Sequence, residues 1–193
     1  MVAHLAFRLD VPDARVGGIV TAGGAVEAYI QATAARLAAD GCEVRTEDWH
    51  GTPVLVGYRA DFRLRWMATK LHLLTVVAPA AAVTQGDLET FTNTAFDYAQ
   101  AQKGQFRGLQ SGVAVFPGLV GTHVDPAALA WAGRRQLVRF GSVARPVAVD
   151  VTAGAVGCFR GTAALGFVYS GHLRRKLDAY FPQAAADAPT ARP

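Results

Sequence analysis

From Ile19 the apolar positions Ile19, Ala22, Val26, Tyr29, Ile30, Thr33 and Leu37 recur at steps of three and four. That spacing predicts one helical stripe, and Asp40-Gly41 supplies its C-terminal stop. The Gly23-Gly24 pair weakens the first turns, which moves the expected start towards Gly24. Glu43 to Trp49 alternates weakly, as an edge strand does. Val54 to Tyr58 reads as a short strand after Pro53. Asp61 to Trp66 alternates cleanly, with Phe62, Leu64 and Trp66 on one face and Asp61, Arg63 and Arg65 on the other. Lys70 to Ala78 ends in an almost unbroken apolar run, the pattern of a strand covered on both faces.

Thr84 followed by Asp87 resembles a capping box with Asp in place of Glu. Leu88, Phe91, Ala95, Tyr98, Ala99 and Gln102 then trace a helix to Gly104. Ser111 to Val120 reads as a strand, with Pro117-Gly118 predicting a bulge or an early end. Asp125-Pro126 is a helix start, a carboxylate cap before proline at the first helical position, and the helix is expected to reach Phe140. Arg145–Thr152 and Ala155–Arg160, joined at Ala153-Gly154, predict a hairpin. A last helix is expected from about Gly166 to Phe181, stopped by Pro182.

The fold class that follows is α/β of an α+β-like kind: a single mixed sheet of about six or seven strands flanked by about four helices. The order is helix, three or four strands, helix, strand, helix, hairpin, helix. No internal repeat or interior linker divides it. One domain is expected over residues 1–182, with a flexible tail over 183–193.

Composition narrows the class. A chain of 193 residues with 51% hydrophobic content can build one ordinary core and is too short for two full domains. The greasiest stretch, Leu71 to Val83, is broken by His72, Thr75 and Pro79, so no membrane span is expected. Residues 16–26 are mildly apolar after Arg8 and Arg15. Four glycines dilute that run, Glu27 ends it, and Asp10 and Asp13 interrupt its basic flank, so an export leader is not expected. A cytoplasmic location follows, with Cys42 and Cys158 reduced.

The formal charge of +4 is unevenly spread. Residues 1–48 hold four Arg against seven acids, and residues 49–176 hold fourteen Lys/Arg against six acids. Such an excess can meet a nucleic acid or another anionic partner, although arginines close in sequence need not share a face. The candidates for an anion site are Arg63 and Arg65 on one strand face, Arg134 and Arg135 on one helix, and Arg174 and Arg175 on the last. Their guanidinium forks could grip phosphate or carboxylate bidentately. Trp131 lies beside the Leu129-Gly133-Leu137-Phe140 stripe and is the candidate interface residue; it either widens that stripe or anchors a partner.

The catalytic templates fail one by one. Gly18 to Gly23 has the glycine separation of a phosphate loop, but Gly24-Ala25 stands where Lys and Ser/Thr are required. No cofactor is expected. The five histidines form no helical pair, and two cysteines cannot close a zinc site, so no metal is expected either. Neither Ser111 nor Ser170 lies in a nucleophile elbow. The element order, over some 80 residues, resembles the restriction-endonuclease-like core, in which an acid and an acid-x-Lys element hold a divalent metal. Asp61 would be the first acid, and Ala68-Thr69-Lys70 the triplet, with methyl where the second carboxylate belongs. If the chain were an enzyme, Asp61, Lys70 and His72 would carry the chemistry, as a divergent hydrolase or phosphodiesterase.

The expectation is therefore a non-catalytic binding or assembly module, self-associating or binding a protein or an anionic ligand. Nucleic-acid binding is the less favoured alternative. Underlying it is the expectation that groups able to activate water, a nucleophile or a metal never gather.

Overall fold

The structure is a computed structural model that describes residues 22–62, 70–103, 111–134, 136–139, 142–162 and 167–183. In chain order the elements are α1 (Ala22–Ala39), β1 (Glu43–Trp49), β2 (Thr52–Phe62), β3 (Lys70–Ala80), α2 (Gln85–Lys103) and β4 (Ser111–Gly121). They continue with α3 (Pro126–Arg134), β5 (Leu137–Arg139), β6 (Ser142–Ala144), β7 (Val147–Asp150), β8 (Ala155–Cys158) and α4 (Phe167–Tyr180). The strands form one mixed sheet in the order β1-β2-β3-β4, and β4 then pairs with both β6 and β7. β5 flanks β6, and β8 flanks β7.

β1, β2 and β3 are an antiparallel meander, whereas β3, β4 and β6/β7 run parallel through the crossovers of α2 and α3. Turn chemistry fixes the first hairpin. His50 and Gly51 both take positive φ, 57° and 87°, and Trp49 pairs with Thr52 across them. That is a two-residue connection whose twist suits antiparallel strands. Asp48 Oδ1 accepts the Gly51 amide at 2.9 Å and holds it. At α2 the capping box is present: Asp87 N donates to Thr84 Oγ1 at 3.2 Å, and Thr84 N donates back to Asp87 Oδ2 at 3.0 Å.

Three local readings change. β2 is one strand of 11 residues that joins the strand expected at Val54–Tyr58 to the first two residues of the one expected from Asp61, since register with β3 holds without a break from Leu55 to Phe62. The rest of that second expected strand, 63–66, lies outside the described residues. β4 runs straight through Pro117. Val115 O accepts the Arg145 amide and Gly121 O accepts the Val151 amide, so odd-numbered residues of β4 turn their backbone groups towards β6 and β7. Pro117 has that parity and falls between the β6 pairing, which ends at Val115, and the β7 pairing, which starts at Gly118. Its missing donor therefore faces a gap in the ladder. Finally, α3 ends at Arg134, and Leu137–Arg139 and Ser142–Ala144 pair antiparallel as β5 and β6, which brings the sheet to eight strands among the described residues.

Strand alternation sends side chains to two cores. Val54, Val56, Leu74, Val76, Val113 and Val115 meet α2 and α3 through Leu88, Phe91, Phe96 and Ala128. Leu55, Leu71, Leu73, Val77, Ala114 and Phe116 meet α1 and α4 through Ile30, Leu37, Leu173 and Leu177. Burial of each large side chain contributes about 1.5–3 kcal/mol, so the two apolar layers dominate stability.

Candidate functional site

The polar groups of the α1/α4 face gather where β2 ends. Arg59 and Asp61 point the same way because they are two residues apart on one strand. Asp40 stands at the C-terminal end of α1. From α4 come His172, Lys176 and Tyr180, spaced by four and four, hence one stripe facing the sheet.

Asp61 is gripped by a guanidinium fork, Arg59 Nε to Oδ2 at 2.9 Å and Nη2 to Oδ1 at 2.5 Å. Its Oδ2 also lies 2.9 Å from His172 Nε2. Asp40 accepts from Lys176 Nζ at 2.7 Å on Oδ1, and on Oδ2 from both Arg59 and Tyr180. Arg59 Nη1 also reaches the Asp40 carbonyl oxygen at 2.5 Å. Cys42 Sγ lies 3.5 Å from the Tyr180 hydroxyl. Arg36 Nη1 reaches the Tyr180 carbonyl at 3.4 Å, a cation at the C-terminal end of α4.

Two carboxylates thus meet two permanent cations, and both acids are held ionised. Burial pushes Asp40 up, but hydrogen bonds from Lys176, Tyr180 and Arg59 outweigh it and hold the carboxyl below its ordinary value. Burial likewise raises Asp61, and Arg59 and His172 outweigh it. The thiols go the other way. Burial lifts Cys42 and carries Cys158 up to about 11, so neither is a thiolate at neutral pH. The His172 ring is only 2% exposed and the Asp61 side chain 13%, which leaves a substrate no approach to the imidazole while α4 stays in place.

A second polar pair lies on the opposite face. Tyr58 Oη and His72 Nδ1 share a hydrogen bond of 2.8 Å beneath the sheet end. Burial, then the nearby Lys70 ammonium, lowers the His72 pKa. A third feature is Arg145, fully buried at the junction of β6 and β7. It donates to Gln136 Oε1 at 2.9 Å and to the Phe159 and Gly161 carbonyls at 3.4 and 3.3 Å. Burial pulls its pKa down to about 10.

These placements decide what the sequence left open. Asp61, Lys70 and His72 do not assemble: β2–β3 register sets Asp61 opposite Leu71 and Ala60 opposite His72. Asp61 therefore belongs to the α1/α4 face, while Lys70 and His72 belong to the α2/α3 face. The convergence that does occur overturns the expectation that acid, imidazole and thiol stay apart. It was missed because Asp61 and His172 are 111 residues apart. The only sequence signal was the His172-Lys176-Tyr180 spacing.

Among the anion-site candidates, Arg134 is exposed at the end of α3, and Arg174 and Arg175 are exposed on α4, in the opposite layer. Arg63, Arg65 and Arg135 lie outside the described residues, as do the first 21 residues and the tail from 184. Trp131 is partly buried against the α2/α3 core. Among the described residues no group of three or more His, Cys, Asp or Glu could hold a metal ion. No helix among them is long and apolar enough to cross a membrane.

Two grooves flank α1. One of about 370 Å³ lies against the β7–β8 hairpin and is lined by Ala25, Ala28, Tyr29, Val149 and Val156. The other, of about 400 Å³, lies over β1 and β2 between Ile30, Gln31, Val44, Thr46 and Leu55. Neither is lined by members of the Asp40–Asp61 network. No protein-family model matches the chain, and no curated protein matches it in sequence.

Proposed function

We propose that this chain is a non-catalytic binding and assembly module that acts through its surfaces, by self-association or by capture of a protein or anionic partner. The observation that supports this reading is the state of the Asp40–Asp61 network. Each carboxylate is neutralised by a cation of the same chain, the imidazole is walled in, and both thiols are held protonated. Groups arranged in this way fasten α4 to the sheet; a working acid, base or nucleophile needs access and an unspent lone pair or proton. Two free thiols suit a cytoplasmic, reducing setting.

The test is mass measurement by size-exclusion chromatography with light scattering across micromolar concentrations. Growth of mass with concentration supports self-association, and a constant monomer mass removes it.

One observation favours a second reading, a divergent hydrolase or phosphodiesterase: the 2.9 Å contact of Asp61 with His172. An acid that orients an imidazole is a recurrent catalytic pairing. Stoichiometric divalent-metal binding that disappears in Asp61→Ala would favour this reading over the first. Nucleic-acid binding predicts retention on heparin that falls steeply with salt; flat salt dependence would dispose of it.

A further inference from the structure

β1 is the outer strand of the sheet among the described residues, pairing with β2 alone. Its seven residues pair without a bulge, and it carries no proline. The two-residue hairpin makes Trp49 and Thr52 a hydrogen-bonded pair, so Glu43, Arg45, Glu47 and Trp49 turn their backbone groups towards β2. Val44, Thr46 and Asp48 consequently present their N–H and C=O groups outward. An edge like this is a template for another strand unless its side chains forbid pairing. The side chains here are charged, yet their order is self-complementary.

We infer that two copies of the chain join through their β1 strands, antiparallel about a two-fold axis at Thr46, into one continuous sheet. This inference rests on the self-association reading and names its surface. In that register Arg45 of each copy lies opposite Glu47 of the other, Thr46 lies opposite Thr46, and Val44 opposite Asp48. All seven residues overlap, and the outward hydrogen-bonding groups of one copy meet those of its mate. The registers centred on Arg45 or Glu47 place like charges directly opposite, Arg45 on Arg45 or Glu47 on Glu47, which is destabilising. Within one copy Arg45 Nε donates to Glu47 Oε1 at 2.6 Å, and Glu47 also accepts from Trp49 and Tyr98, which holds its carboxylate at the edge. Arg45 is 44% exposed, so its guanidinium is open to the carboxylate of the mate. Thr46 is exposed as well. Such symmetric contacts between identical patches are the commonest route to a dimer.

The experiment uses the full chain with Arg45→Glu, Glu47→Arg, and an equimolar mixture of the two variants. Each variant alone sets like charges opposite one another and should dimerise roughly tenfold more weakly than the original chain. In the mixture, a strand with acids at both positions meets a strand with guanidinium groups at both. A heterodimer should therefore be recovered, read by light scattering and native mass spectrometry. Arg45 is exposed, whereas Glu47 is half-buried and accepts from Trp49 and Tyr98, so the thermal midpoint of each variant checks that it folds and Arg45→Glu is the cleaner of the two. Thr46→Pro is the second probe: it removes an outward donor and no β1–β2 hydrogen bond, so it should abolish the dimer. A dimer indifferent to all three substitutions overturns the strand pairing while self-association stands. A monomer at every concentration overturns both.

Discussion

The face of the sheet beneath α2 and α3 has a hydrocarbon centre, with Leu88, Phe91, Ala95, Phe96, Ala128 and Ala132 all essentially inaccessible. Its polar contacts are separate small groups, Tyr58 with His72 and Tyr98 with Arg45 and Glu47. The face beneath α1 and α4 is apolar in its centre too, but at its margin two acids, two cations, an imidazole and a phenol join into one network. The difference follows from how each helix is tied to the chain. α2 and α3 are crossovers between parallel neighbours, so connectivity already places them. α4 follows the β8 edge and must be positioned by directional contacts. Ion pairs stabilise weakly compared with hydrocarbon, but they discriminate one docking from its near neighbours, because a shifted helix would leave charges buried and unpaired. The polar margin therefore sets where α4 sits, and the apolar layers supply most of the free energy.

The largest expected effect lies on the hydrocarbon face. Phe91→Ala should cost about 3–5 kcal/mol in urea unfolding, through lost burial and the cavity left beside Trp49, whose ring centroid is 6.1 Å away. Gly157→Ala comes next. A Cβ there would lie 2.6 Å from Leu129 O and 2.8 Å from Leu129 Cα, so the α3 backbone must retreat from β8. About 1–3 kcal/mol is expected, with Gly157→Ser no better. A variant as stable as the original would show that α3 is loosely seated.

On the other face, Asp40→Asn should cost about 1–3 kcal/mol, since Lys176 and Arg59 would lose the anion they share. Adding Lys176→Met should restore part of the loss, a coupling that a double-mutant cycle would measure. Strict additivity would remove the network from the account of how α4 is placed.

The smallest effects are those of pH; their sign is shared, a loss of stability on acidification, and the pH window separates the faces. Asp40 and Asp61 titrate below their ordinary value of 3.8, so their stabilisation is complete above it and is lost as the pH falls through the folded values. His72 is also depressed, from 6.5. There the unfolded chain takes the proton first, and stability begins to fall as the pH drops below 6.5. His72→Gln should flatten the thermal midpoint between pH 7.5 and 5 and leave the lower window untouched. A midpoint profile unchanged by that substitution would show that the pair with Tyr58 does not titrate with folding.

Much of the fold was legible in local patterns because local physics writes them. The i, i+3, i+4 recurrence from Val26 to Leu37 gave α1, the Thr84–Asp87 box gave the start of α2, and the turn at Ala153-Gly154 gave the β7–β8 hairpin. Pro117 misled, since a proline forbids a donor at one position and cannot say whether that position faces a partner or a gap. The candidate site was barely legible. Asp61 was picked out, but its companions were sought along the chain, at Lys70 and His72, when parity had already sent those two to the other face.

By itself the order of residues determined the four helices, most of the strands and the surplus of positive charge, which depend on neighbours within a few positions; β5, read locally as the end of α3, was not among them. Only tertiary structure decided that Asp40, Arg59, Asp61, His172, Lys176 and Tyr180 form one network. Their meeting depends on strand register and on where α4 docks. Those are set by the packing of whole layers, which no short window of sequence contains.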